Sequence, residues 1–162
     1  MTPYKVLFIC TGNSARSILA EGLLNHLGRG RFAAYSAGSH PKGQVHPLAL
    51  AALREFGIPT DAMRSKSWDV FAGPDAPRMD FVITVCDQAA GELCPHWPGQ
   101  PVTAHWGMPD PAAVEGSPEA RTQAFRDAAV TARRRIQLLL DLPLTKLDAL
   151  AIERRSRLIG EQ

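Results

Sequence analysis

The segment Cys10-Thr11-Gly12-Asn13-Ser14-Ala15-Arg16-Ser17 gathers a thiol, a guanidinium and three hydroxyls within eight positions. A cysteine is a nucleophile only as its thiolate, and a positive local field favours that form. Arg16 offers a planar fork that matches two oxygens of a tetrahedral oxyanion. Successive backbone N–H groups ahead of a helix form an anion cradle. The chemistry these residues can do together is attack of Cys10 on a bound oxyanion. Thr11, Gly12, Asn13, Ser14, Ala15, Arg16 and Ser17 are the oxyanion-binding candidates. Ser17 can also donate a hydrogen bond to the thiolate. Gly12 is suited to a tight turn, and Asn13 to a left-handed one. Spacing of Cys and Arg alone is a weak signal, and the flanking elements give it weight. A nucleotide-type phosphate loop is excluded, because the Gly-Lys-Ser/Thr ending is absent.

Two further cysteines, Cys86 and Cys94, complete an odd total of three. That is too few for a disulfide scaffold, and no second Cys pair or His spacing marks structural zinc. Asp110-Pro111 is a candidate proton donor for a leaving oxygen. The same pair is also a common way to start a turn or helix, and both roles stay open on residue type alone.

The elements that must position these groups are legible from hydrophobic pattern. Val6 to Ile9 is a continuous apolar run, as expected of a strand buried on both faces. Helical spacing follows from Ser17 to Leu27, with Gly28 as its stop. Phe32 to Ala37 reads as a strand, Pro47 to Phe56 as a helix ending at Gly57, and Ser67 to Phe71 as a short helix. Phe81 to Val85 and Pro101 to Trp106 read as strands. A long helix spans Pro118 to Asp141, and a basic helix follows Pro143 and runs to Ile159. Strands alternating with helices predict an α/β three-layer sandwich with a four-stranded parallel sheet, flavodoxin-like in outline. Ligands bind beyond the carboxyl ends of such strands. Cys10, Cys86 and Asp110 all fall at that edge.

The 162 residues suit one domain, divided here into a catalytic part over 1–143 and a C-terminal helical extension over 144–162 that packs on it or trails from it. Net charge is only +2, with 45% hydrophobic and 21% charged residues, so no nucleic-acid partner is implied. Arg133-Arg134-Arg135 and Arg154-Arg155-Ser156-Arg157 read as solvated helix faces. No apolar run approaches the roughly 20 residues of a membrane span, and the N-terminus lacks a signal-peptide cleavage pattern. A cytoplasmic monomer is expected.

The stretch Val6 to Gly22, with Cys86 to Trp106 and Asp110-Pro111, resembles the low-molecular-weight protein tyrosine phosphatases and the arsenate reductases that share their fold. The resemblance implies Cys10 as nucleophile, Arg16 as oxyanion ligand and Asp110 as general acid. Three features are similar to the thioredoxin-coupled arsenate reductases. Cys86 and Cys94 stand where those enzymes carry a second and third cysteine. Ile18 stands where the phosphatases usually have Pro. Ala112-Ala113-Val114 lacks the aromatic residue that follows their Asp-Pro, although Trp97 or Trp106 could line a pocket instead. The implied reaction is reduction of arsenate to arsenite. Cys10 forms the arsenic adduct, Cys86 attacks Cys10 and releases arsenite, and Cys94 then closes a Cys86–Cys94 disulfide reduced by thioredoxin, or by glutaredoxin or glutathione. The alternatives are a phosphatase working through phosphocysteine, and a non-enzymatic oxyanion or redox sensor.

Some relatives hold a potassium ion with an Asn, a Glu, a Ser and an Asp. Asn13, Glu21 and Ser36 are similar to three of these, and Lys66 stands at the Asp position. Its ammonium would take the place of the cation by pairing with Glu21, so neither a metal nor a bound cofactor is expected. A disulfide needs Cα atoms about 5.5–6 Å apart. A helix over 86–94 would separate them by about 12 Å, so residues 87–93 must rearrange if Cys86 and Cys94 bond. Of the five histidines, His46 reads as a helix start, His26 as a surface residue, and His96 and His105 as neighbours of the site without a direct role.

Overall fold

A computed structural model describes residues 2–86, 101–146 and 149–162. Cys94, Gly91, His96 and Trp97, and the expected rearrangement of 87–93, lie outside the described residues. The chain forms strand β1 (Tyr4–Cys10), helix α1 (Arg16–Leu27), strand β2 (Phe32–Gly38) and helix α2 (Pro47–Glu55). A 3-10 turn at Trp68–Phe71 precedes β3 (Phe81–Thr84) and β4 (Val102–His105). After a second 3-10 turn at Pro111–Ala113 come the long helix α3 (Pro118–Leu140) and helix α4 (Ala149–Ile159). The four strands form one parallel sheet in the order β2-β1-β3-β4. This is the expected α/β three-layer architecture.

The apolar runs explain the sheet centre. Val6, Leu7, Phe8 and Ile9 are fully buried, as are Ile83 and Val85. Each such side chain is worth roughly 1.5–3 kcal/mol on burial. α1 buries Ile18, Leu19, Leu23 and Leu24 and packs against β1, β2, α2 and α3. α3 begins at the cap residue Ser117, whose hydroxyl accepts from the Ala120 N–H, followed by Pro118 in the first turn. α2 begins in the same way at His46-Pro47, with His46 Nδ1 accepting from the Leu48 N–H at 3.1 Å. α4 packs against β4.

The register decides what meets at the carboxyl edge. Cys10 pairs with Gly38, Ile9 with Thr84, and Thr84 with His105. Beyond that row the backbone keeps pairing for one more step, with Val85 N–H to Ile9 O at 2.9 Å and Trp106 N–H to Thr84 O at 2.7 Å. Cys10, Cys86 and the 106–110 segment therefore leave the sheet side by side. Gly38 is required there. A Cβ on it would lie 2.4 Å from the Thr11 carbonyl oxygen and 3.0 Å from the Asn13 backbone.

Candidate active site

The loop between β1 and α1 is tied down from outside. The Thr11 carbonyl accepts from His40 N–H, the Gly12 carbonyl from Lys42 N–H and the Ser14 carbonyl from His46 N–H, each at 2.9 Å. Ser65 Oγ also donates to Gly12 O at 3.2 Å. The left-handed turn falls on Asn13, at φ 45°, and is the one non-Gly residue with positive φ among the described residues. Gly12 does not carry the turn. Its open face is covered by the Lys42 stem, 3.2 Å from where a Cβ would stand. The left-handed turn expected at Asn13 is thus found there, and the Asn13 side-chain bonds hold it.

Those bonds form a chain with a fixed sense. The Lys66 N–H donates to Asn13 Oδ1 at 2.8 Å. Asn13 Nδ2 then faces two hydroxyls, Ser17 Oγ at 2.8 Å and Ser36 Oγ at 3.0 Å, and donates to both. Ser36 passes its own hydrogen to Glu21 Oε1 at 2.5 Å. Ser17, already an acceptor, is left to donate to Cys10 Sγ at 2.9 Å. Asn13, Ser17 and Ser36 are completely buried, and Cys10 is nearly so. A buried network of this kind holds only when each member is satisfied.

The network ends in an ion pair. Lys66 Nζ lies 3.8 Å from Glu21 Oε1 and donates to the Arg64 carbonyl at 3.0 Å. Burial pushes the Glu21 carboxyl up from its ordinary range, opposed by the Ser36 hydrogen bond and then by Lys66. Burial pushes the Lys66 ammonium down, opposed by Glu21. These residues do not fit a potassium ion: the Asn13 carbonyl oxygen is taken by a backbone N–H and Glu21 already faces an ammonium.

α1 starts at Ala15 without a side-chain cap, unlike α2 and α3. Its first-turn N–H groups and positive dipole end thus face the loop's cavity without competition from a capping oxygen. The cavity holds about 240 Å³ and is lined by Cys10, Thr11, Gly12, Ser14, Ala15, Arg16 and Asp110, whereas Asn13 and Ser17, also expected as oxyanion ligands, are fully buried and do not line it. Arg16 Nη1 donates to the Met108 carbonyl at 3.1 Å, and Nη2 lies 3.7 Å from Asp110 Oδ2. The other Asp110 oxygen, Oδ1, accepts from the Ala112 N–H at 3.0 Å. The two readings of Asp-Pro coexist: one oxygen caps a turn and the other faces the site.

Cys86 is buried, and its sulfur accepts from the Thr11 N–H at 3.3 Å, with Thr11 Oγ1 at 3.6 Å. The structure therefore brings Cys10, Arg16, Asp110 and Cys86 together. It does not bring Trp106 to the cavity. That indole is buried and donates through Nε1 to the Ser156 carbonyl at 2.9 Å. His105 Nδ1 bonds Thr84 Oγ1 at 2.7 Å on β4 and does not line the cavity. Two cavity-lining residues escaped the sequence reading, His40 and Lys42. Only their place in the loop after β2, at the same sheet edge as Cys10, could have flagged them. Among the described residues no group of three or more His, Cys, Asp or Glu is arranged to hold a metal. No helix among them is long and apolar enough to cross a membrane.

A parallel α/β sheet ending in a cysteine–arginine loop, with an Asp-Pro segment across the cavity, defines a class of cysteine-based oxyanion-handling folds. Residues 5–141 match the family described as low molecular weight phosphotyrosine protein phosphatase, and the chain belongs to that family. It is similar to the arsenate reductase of Shouchella clausii, with 38% identity over 121 residues, 75% of this chain and 84% of that one. Among solved structures it is similar to an arsenate reductase in the phosphate binding state, with 31% identity, TM-score 0.66, and coverage of 85% of this chain and 96% of that one. A thioredoxin-dependent arsenate reductase of Corynebacterium glutamicum is also similar, at 28% identity and TM-score 0.55, covering 84% of this chain and 63% of that one.

Proposed function

We propose that the protein reduces arsenate to arsenite through a relay of its three cysteines. The observation that carries the reading is the Cys86 sulfur bonded to the Thr11 N–H, one residue from the nucleophile. A second thiol against the oxyanion loop has no task in hydrolysis and an evident one in reduction. The similarity to arsenate reductases supports the same reading.

The Cys10 thiolate, receiving the Ser17 hydrogen bond, attacks arsenic(V). An As–S bond forms, an As–O bond breaks, and the departing oxygen takes a proton from Asp110 and leaves as water. Arg16 and the loop amides hold the remaining oxygens. The Cys86 thiolate then attacks the Cys10 sulfur. The S–S bond forms as the As–S pair moves to arsenic, so arsenic gains two electrons and leaves as arsenite, while two thiols become a disulfide. The Cys94 thiolate attacks Cys86, returns Cys10 as thiolate and leaves a Cys86–Cys94 disulfide. A dithiol protein of the thioredoxin class reduces it and is itself oxidised. No bound cofactor enters any step, and a cytoplasmic monomer suffices.

The test is arsenate-dependent NADPH oxidation coupled through thioredoxin and thioredoxin reductase. Wild type turns over and Cys94→Ser completes no more than one turnover, while slow aryl-phosphate hydrolysis survives in Cys94→Ser. Fast aryl-phosphate hydrolysis by wild type with no arsenate-dependent NADPH oxidation would establish the phosphatase reading instead. Efficient turnover with glutaredoxin and none with thioredoxin would remove Cys94 from the relay.

A further inference from the structure

Arg135 is a cation inside the protein, 6% exposed, in a stretch of three arginines whose other members behave differently. Arg133 lies over the Phe56 ring at 5.5 Å, and Arg134 is exposed. The solvated face expected for the triplet therefore does not extend to its third member. Among the described residues no Asp or Glu side chain pairs with Arg135. Its partners are main-chain oxygens: Trp106 O at 2.8 Å and Gly107 O at 2.9 Å from Nη1, and Gly160 O at 3.4 Å and Gln162 O at 3.5 Å from Nη2, while Nε is buried without one among the described residues. A guanidinium buried without a side-chain counter-charge is costly. That cost demands a return, and the identity of the carbonyls supplies one.

Trp106 and Gly107 lead directly to Met108, whose carbonyl anchors Arg16, and to Asp110, which faces Arg16 across the cavity. The far side of the same segment is bound to α4. Trp106 Nε1 donates to Ser156 O, and Arg135 links Gly107 to Gly160. Contact there is so close that a Cβ on Gly160 would lie 2.0 Å from the His105 carbonyl oxygen and 3.0 Å from Trp106. α4 lies beyond residues 5–141, the part of the chain that the family match covers. One continuous set of bonds therefore runs from that added helix to the oxyanion-binding guanidinium.

We propose that Arg135, clamped between α4 and the Trp106–Gly107 carbonyls, is a positioning residue that sets Arg16 and Asp110 for the oxyanion. This rests on the reading of Arg16 and Asp110 as oxyanion-handling groups, but not on arsenate being reduced. Arg135 touches no substrate. It fixes the carbonyl that fixes Arg16, and the C-terminal extension becomes part of the site's scaffold.

The test uses full-length protein and inorganic phosphate as probe, read as protection of Cys10 from iodoacetamide and followed by peptide mass. Arg135→Met removes the fork, and Gly160→Ala pushes α4 from the other side. Both are expected to weaken phosphate protection about tenfold, with a much smaller change, about twofold, in the Cys10 alkylation rate without phosphate. Arg135→Lys, which keeps a donor but not the fork, falls between. Phosphate protection within twofold of wild type in the folded Arg135→Met and Gly160→Ala proteins would overturn the proposal, even if their melting temperatures drop. An alkylation rate without phosphate changed about tenfold or more would also overturn it, since the nucleophile loop itself would then be disturbed. Where Arg135→Met does not fold, Arg135→Lys and Gly160→Ala decide by the same criteria. Failure of wild type to turn over arsenate leaves this measurement intact and bears only on the reductase reading.

Discussion

The Ser17 hydroxyl stands 2.9 Å from the Cys10 sulfur and accepts a hydrogen bond from Asn13, so its own hydrogen is free to point to that sulfur. Hydrogen bonds to a charged partner are worth about 1.5–3 kcal/mol. Ser17→Ala should therefore slow alkylation of Cys10 at neutral pH by about tenfold. Iodoacetamide labelling resolved by peptide mass measures this. An unchanged rate would assign thiolate stabilisation to the loop amides and Arg16 alone.

Asp110 faces Arg16 at 3.7 Å, with its side chain 40% exposed. Asp110→Asn keeps the turn-capping oxygen and removes the proton donor. Turnover should fall about 100-fold. Phosphate affinity should be unchanged or tighter, because the guanidinium loses a competing carboxylate. Pre-steady-state turnover and phosphate protection of Cys10 separate the two effects. Equal losses in both would mean that Asp110 only shapes the pocket.

The Lys66–Glu21 pair is part-buried, with side chains 18% and 14% exposed. Lys66→Met leaves Glu21 without its counter-charge and should cost about 2 kcal/mol, less than the roughly 3–5 of a fully buried pair. The sign with pH follows from burial raising the Glu21 carboxyl above its ordinary value of 4.5. Such a group favours folding when protonated and loses that contribution as pH rises through its folded value. Removing Lys66 enlarges the effect. The stability gap between wild type and Lys66→Met should thus widen upward from about pH 4.5, measured by urea denaturation across pH. The wild-type melting temperature should not distinguish potassium from sodium at equal ionic strength.

His46 caps α2 with a neutral Nδ1, and its ring packs 4.6 Å from that of Phe125. Burial, then Arg121 and Lys42, hold its imidazole below the ordinary value of 6.5, against a smaller opposing effect of Asp110. A depressed histidine contributes stability above 6.5 that is lost as pH falls through its folded value. Protonation also removes the lone pair that the Leu48 N–H uses. His46→Asn preserves the cap and should remove this acid-range loss, so wild type should lose stability faster than the variant below pH 6.5. His46→Ala should cost about 1 kcal/mol at pH 7.5. Parallel pH profiles for wild type and His46→Asn would exclude the histidine as the source.

The fold was legible because its strands are uninterrupted apolar runs. Val6 to Ile9 and Phe81 to Val85 leave little choice for a chain that alternates with helices, and His46-Pro47 and Ser117-Pro118 mark helix starts by local chemistry. Boundaries moved by one or two residues where pairing extends past the apolar stretch, as at Tyr4. Residues of the site that share the loop were visible together. Lys42 and His40 were not, since nothing in their neighbours shows that their backbone straps the loop from outside. Arg135 was invisible for a related reason. Three adjacent arginines look alike in sequence, and a helix period of 3.6 turns only one of them inward.

The hydrogen-bond chain from Lys66 through Asn13 and Ser17 has one direction and ends on sulfur. Behind the sulfur that chain consists of a hydroxyl, a carboxamide and a backbone N–H, none of which gains or loses a proton in the ordinary pH range. The floor of the site is therefore closed to proton traffic. Any proton that Cys10 loses or regains must cross the cavity mouth, on the side where Asp110 stands.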